Sequence, residues 1–224
     1  ILIQTIQHTP PSKWEQGKRN FINSFGANQE SVIEGMIKAV NRRPENTGRK
    51  IQQSLRFSKV KSYTDKSYKV LYQSGAAVLR YGIGSEFAFE AGGDKIVEVL
   101  ERIFTETIHA ASYASRYQPS HIGVRFTMPS KAYLSSSYNR PTMYFDVPTL
   151  HNTVGYQELL ENYQRILMEL DGIPHWGKVN NMLYMNNSFI HTAYPKYQTW
   201  IDVRRQMDPK DTFLNDFVIK MGLR

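Results

Sequence analysis

Two helical stripes, each set between extended segments, constrain the fold of this chain more than anything else in it. Ile96, Val97, Val99, Leu100, Ile103, Phe104, Thr107, Ile108 and Ala111 recur with the 3.6-residue period of a helix over about 18 residues. Leu159, Leu160, Tyr163, Ile166, Leu167 and Leu170 form a second stripe. Ahead of the first, residues 80–89 read as a strand with alternating Phe87 and Phe89, and Gly92-Gly93-Asp94 breaks it and caps the helix. Between the stripes lie two more extended runs, His121 to Met128 and Thr142 to Val147, joined by a loop rich in serine and asparagine. A further strand is expected near Met182–Met185, and a last helix from about Lys196 to Met207, stopped by Asp208-Pro209. The order strand, helix, strand, strand, helix, strand predicts an α+β domain with an antiparallel sheet and helices packed on one face, the split βαβ or ferredoxin-like arrangement. Its other sheet face is expected to meet another domain or a ligand.

The N-terminal part reads differently. Ser31-Val32-Ile33-Glu34 is a capping box for a helix through about Val40. Residues 41–50, with Pro44, Asn46 and Gly48, are turn-rich and read as a linker, and residues 50–66 as irregular or edge-strand structure. Tyr68 to Tyr72 looks extended. The expected division is therefore residues 1–60, an N-terminal segment with a basic linker, and a second domain over residues 61–224.

Charge is concentrated in one place. Residues 41–80 carry ten Lys/Arg against two Asp/Glu, a net +8, whereas residues 1–40 carry +1 and residues 81–224 carry −1. Such a stretch is either a solvated connector or a contact for an anionic surface. It contains no recognisable nucleic-acid motif, so no clear nucleic-acid partner is read from it. The absence of cysteine removes disulfides, thiolate metal sites and cysteine nucleophiles together. No apolar run reaches the roughly 18 residues of a membrane-spanning helix, and residues 1–7 do not resemble a signal peptide. The six histidines show no ligand spacing, so no metal site is expected. Gly82-Ile83-Gly84 lacks the third glycine of a dinucleotide fingerprint. Neither a phosphate-binding lysine loop nor a Gly-x-Ser-x-Gly elbow occurs.

What remains is polar chemistry at strand ends. Pro174-His175-Trp176-Gly177-Lys178 packs an imidazole, an indole, a glycine and an ammonium into five residues directly after the second stripe. His175 and Lys178 offer donors for developing negative charge; the plain alternative is a packed loop with a solvated lysine. Arg125 sits between apolar strand residues, facing either water or a pocket that uses its charge. Asn215 and Asp216 lie near the end of the chain.

In this order, His-Ile-Gly-Val-Arg-Phe (121–126), Pro-His-Trp-Gly-Lys (174–178) and Met-Asp-Pro-Lys-Asp-Thr-Phe-Leu-Asn (207–215) resemble segments of the D-arabinono-1,4-lactone, L-gulonolactone and alditol oxidases, flavoenzymes of the vanillyl-alcohol-oxidase type. Residues 65–70 and Ser85-Glu86-Phe87-Ala88 resemble two further segments. The resemblance covers roughly residues 62–221 and implies the substrate-binding and cap half of an FAD-dependent enzyme. Such an enzyme oxidises a carbinol of a lactone, polyol or other alcohol by hydride transfer to flavin N5. It implies catalytic roles for Lys178, as the cation beside the reduced flavin, and for Arg125, which handles substrate hydroxyls. His175, Lys178 and Asn215 are the implied cofactor-binding residues. FAD itself is expected to be held by a partner domain or subunit, because none of the glycine-rich flavin segments occurs here, and this chain alone is expected not to hold it tightly. Two departures stand out. Gly123 replaces the glutamate of the family's Glu-x-Arg pair, which puts a sugar-like substrate in doubt, and Glu90 replaces a proline. The competing reading is a non-enzymatic binding module that kept the fold.

Overall fold

The computed structural model describes residues 29–57, 80–184 and 188–224. Two compact units emerge. The smaller contains, among the described residues, 29–57, 80–83, 111–121 and 149–156; the larger contains residues 84–110, 122–148 and 157–224. In chain order the elements are α1 (Gln29–Arg42), α2 (Thr47–Phe57), β1 (Gly82–Glu90), α3 (Lys95–Ala114), β2 (Gly123–Thr127), β3 (Thr142–Leu150), α4 (Tyr156–Glu169) and β4 (Ile173–Pro174). Four short or medium helices follow: α5 (Asn181–Tyr184), α6 (Ser188–Ala193), α7 (Tyr197–Met207) and α8 (Asp216–Lys220). None of the described helices is long and apolar enough to cross a membrane.

The strands form one sheet in the order β2-β3-β1-β4, the arrangement expected for a split βαβ domain. β2 lies antiparallel to β3, with Gly123 opposite Asp146 and Arg125 opposite Tyr144. β4 lies antiparallel to β1, with Phe87 opposite Pro174. Main-chain bonds from Ala91 to Pro141 and from His151 to Tyr81 set an antiparallel register between β1 and β3. That register places Glu86 opposite Asp146 and Ala88 opposite Tyr144.

Alternation then sorts the side chains. Phe87, Phe89, Met143, Phe145 and Val147 share one buried face, where the Phe89 and Phe145 rings meet edge to face at 5.7 Å. The helices supply Val99 and Ile103 from α3 and Leu159, Leu160, Tyr163, Ile166 and Leu167 from α4. Thr107 and Tyr163 share a 2.6 Å hydrogen bond between these helices, and burial pushes the Tyr163 hydroxyl up to about 12. The α3 stripe proves wider than its contact. Val97, Phe104 and Ile108 are exposed while Val99 and Ile103 are fully buried.

The opposite sheet face is covered in part by the C-terminal helices. Ala88, Tyr144 and Ile173 pack there with Leu183, Ile190, Tyr194, Met221 and Leu223. The strand expected near Met182–Met185 is not found: Asn181–Tyr184 is a helical turn, and residue 185 lies outside the described residues. The fourth strand comes earlier, because Ile173 and Pro174 pair with β1 immediately after the Gly172 turn. Leu183 is buried in the cluster on this sheet face, and the Met182 backbone N–H donates to Gln164 Oε1 in α4.

In the smaller unit, the linker expected at 41–50 is instead a 3-10 turn, Pro44–Asn46, followed by α2. Pro44 opens the 3-10 turn, where its missing N–H has no partner to lose. Residues 50–57, expected irregular or extended, are helical, with no Gly or Pro to interrupt them. The expected strand at Tyr68–Tyr72 and most of the basic stretch lie outside the described residues. Asn41 ties the end of α1 down, donating to the Asn152 carbonyl and accepting from the Val154 N–H.

Gly172 marks where α4 meets the sheet. A Cβ there would lie 2.6 Å from both the Leu167 carbonyl oxygen and the Phe89 ring, closer than packed atoms come. Gly172→Ala is therefore expected to destabilise the protein by roughly 1–3 kcal/mol. This would be read as a lower denaturant midpoint at unchanged m-value; an unmoved midpoint would refute the close approach.

Candidate functional site

On the face shared by Ala88 and Tyr144, the strands also carry charge. Glu86 in β1 is 2% exposed, a burial that a lone carboxylate does not tolerate. Arg125, two strands away in β2, satisfies it. Its Nε donates to Oε1 at 2.6 Å and its Nη2 to Oε2 at 2.9 Å, a bidentate, charge-assisted pair. Between them runs β3, and the guanidinium crosses it over the Tyr144 ring, 4.9 Å from the centroid. Tyr144 is fixed in turn by a 2.8 Å bond between its hydroxyl and Ser136. The Arg125 side chain is 56% exposed, and its Nη1 has no partner among the described residues.

Asp146, two residues along β3, stands beside this pair. Its Oδ1 accepts from Lys178 Nζ at 3.4 Å. Burial raises its pKa above the usual carboxylate value; Lys178 opposes the rise and neighbouring Glu86 adds to it. Arg125, Glu86, Asp146 and Lys178 thus form a band of alternating charge on one sheet face.

The segment 175–178 is fastened to that band through its main chain. The His175 N–H donates to the Glu86 carbonyl, the Val179 N–H to that of Gly84, and Ser85 Oγ to that of Val179. Asn180, 1% exposed, reaches back with Nδ2 to both the His175 and Lys178 carbonyls at 3.0 Å and closes the loop. His175 Nδ1 accepts the Gly177 N–H, so the neutral ring carries its proton on Nε2 and can donate. Trp176 is a packing residue. Its indole N–H donates to the Leu134 carbonyl and its ring stacks on Tyr194 at 5.1 Å.

Of the residues singled out from sequence, the structure brings Arg125, His175 and Lys178 to one face. Asn215 plays a different, local part. Its Oδ1 accepts the Val218 N–H and caps α8, and no hydrogen bond joins it to the other three. The neighbouring Asp-Pro-x-x-x-Phe segment is a self-bonded turn. Asp208 accepts from the Phe213 and Thr212 N–H groups, which holds its carboxyl below the usual range, and Arg204 grips Asp211 at 2.6 Å. Sequence reasoning misses Glu86 and Asp146. The available signal is a carboxylate inside an apolar strand, the same signal that marks Arg125. Among the described residues no cluster of three or more His, Asp or Glu converges on a metal position.

A family model described as D-arabinono-1,4-lactone oxidase matches residues 3–221. The chain is 33% identical over 98 residues to the L-gulono-1,4-lactone dehydrogenase of Mycobacterium tuberculosis (strain ATCC 25618 / H37Rv), covering 43% of this chain and 22% of that protein. It is 26% identical over 110 residues to the L-gulonolactone oxidase of Mus musculus, covering 45% and 23%. It is 25% identical over 95 residues to the alditol oxidase of Streptomyces sp. (strain IKD472 / FERM P-14339), covering 42% and 22%. The matched stretch spans less than a quarter of the length of each of these relatives.

The raised pKa of Asp146 fixes a sign. Its folded-state value lies above the ordinary 3.8, so the folded protein holds this proton more tightly than the unfolded chain. The Asp146 contribution to stability is then present at low pH and lost as pH rises through the folded value. Asp146→Asn should therefore gain in stability relative to the parent as pH is raised from about 4 to 7, followed by denaturant titrations at each pH. A gap that moves the other way would contradict the burial argument.

Proposed function

The chain belongs to the D-arabinono-1,4-lactone oxidase family, and on that premise we propose that it is the substrate-binding half of an FAD-dependent oxidoreductase acting on a lactone, polyol or other alcohol. The observation that carries this reading is the position of Lys178, set by the main-chain fastening of its loop beside the Arg125–Glu86 pair. The Lys178 side chain is about one-third exposed and, among the described residues, its ammonium makes one long bond, to Asp146, so it remains able to engage a bound group. A cation, an imidazole donor and a guanidinium with one uncommitted nitrogen are a donor set suited to a ring system that gains negative charge.

These residues fit a flavin edge, and FAD would be held chiefly by a domain or subunit other than this chain. When bound, the flavin supplies the hydride acceptor for the carbinol carbon. Lys178 would hold the flavin ring through its charge, with His175 Nε2 as a second donor nearby. Arg125 would orient the substrate, because Nε and Nη2 are committed to Glu86 while Nη1 remains to donate to a hydroxyl or lactone oxygen. Glu86 keeps the guanidinium in place. Asn215 would contribute to cofactor binding through its amide nitrogen, which has no partner among the described residues, its carbonyl oxygen being committed to α8.

The test is Lys178→Met in the flavin-loaded full-length protein, with anaerobic flavin reduction followed by absorbance. The expected result is a slowing of about 10²–10³-fold, as for removal of a charge-stabilising donor. Reduction at the parental rate by every alcohol tried would remove Lys178 from catalysis. A parent whose flavin no alcohol reduces would favour the non-enzymatic binding module instead. A second expectation is that this chain alone emerges colourless from gel filtration after incubation with FAD; a yellow peak would overturn the assignment of FAD to another domain.

A further inference from the structure

We propose that Asp146 is the specificity-determining residue of this site, accepting a hydrogen bond from a substrate hydroxyl that lies over Gly123. The place of the substrate rests on the oxidase reading above, whereas the acceptor is argued from the sheet itself. Glu86 is unsuited to accept such a bond, since it is buried and both its oxygens are taken by Arg125. Asp146 differs on each count. Its side chain is one-third exposed, Oδ1 accepts only a long bond from Lys178, and Oδ2 has no partner among the described residues.

Directly opposite Asp146 on the edge strand stands Gly123. A Cβ built there would lie 3.6 Å from Asp146 Cβ, in ordinary contact. A side chain at 123 would therefore start beside Asp146, in van der Waals contact with it. Glycine leaves that approach open. The surrounding charges also select the ligand class. Arg125 and Lys178 balance Glu86 and Asp146, so the band favours neither an organic acid nor an amine. A neutral molecule with hydroxyl groups meets both needs, accepting a hydrogen bond from Arg125 Nη1 and donating one to Asp146 Oδ2. A site that hydrogen-bonds a substrate hydroxyl discriminates strongly against an analogue lacking it.

The experiment uses the intact flavoprotein with its flavin reduced by dithionite under anaerobic conditions, so that binding is read without turnover. Dissociation constants are measured by calorimetry for L-gulono-1,4-lactone and for γ-butyrolactone, the same ring without hydroxyls. The parent should prefer the hydroxylated lactone by about tenfold or more, and Asp146→Ala should abolish most of that preference. Loss of the Lys178 counter-charge alone would weaken both ligands alike, so only the ratio reports the proposed bond. Moving the carboxylate across the strand pair, in G123E/D146A, should restore at least half of the preference. If Asp146→Ala loses its near-UV dichroism, the isosteric Asp146→Asn takes its place, with a smaller loss of preference expected. The proposal is overturned by a variant that keeps the parental ratio, or by a parent that binds both lactones equally or neither. A hydroxyl preference that vanishes in Asp146→Ala, in a protein whose oxidised flavin no alcohol reduces, would instead leave Asp146 in place and remove the oxidase reading.

Discussion

Because side chains alternate along a strand, the register between β1 and β3 decides what every other part of the larger unit can be. A slip of one residue would exchange Phe87 and Phe89 for Glu86 and Ala88 on the face packed by α3 and α4. The apolar core would then hold a carboxylate, and the phenylalanines would lie among the charges. The main-chain bonds at the two ends of the pairing, together with the close approach of Gly84 to Pro148, hold the register that avoids this. One constraint thus separates the hydrophobic layer from the charged band, and the two need no further arrangement to stay apart.

Within the charged band the energetics are asymmetric. The Arg125 side chain is about half exposed, while Glu86 is almost fully buried. The arginine therefore matters more to the glutamate than the reverse, since losing it would strand a buried charge. This geometry keeps Arg125 oriented without consuming all of its donors. Tyr144 under the guanidinium and Ser136 under Tyr144 extend the support into the loop before β3.

The two helical stripes and the strands beside them are legible in the sequence because burial imposes a period on side chains there. The segment from Pro174 to Lys178 is legible because it concentrates unlike polar groups. Residues 41–57 mislead for a physical reason: Pro44, Asn46 and Gly48 signal turns, yet proline is also at home in the first turn of a helix. The short β4 lacks any period to detect, being two residues long and defined wholly by its partner. The larger omission is Asp146. Its meaning lies across the strand from Gly123, and cross-strand neighbours are separated by residues that a linear reading does not connect. Gly123 reads in sequence as the loss of a carboxylate; the structure shows another one beside it.

The fastening of residues 175–180 bears on how such a site can change over time. Glu86 and Gly84 hold this segment through their carbonyls, and Asn180 closes it through the carbonyls of His175 and Lys178. None of those contacts reads the side chains at 175, 177 or 178. The shape of the loop and its chemistry are therefore inherited through different residues. Substitution at Lys178 leaves these main-chain bonds in place, whereas loss of the buried Asn180 amide would remove both bonds that close the loop.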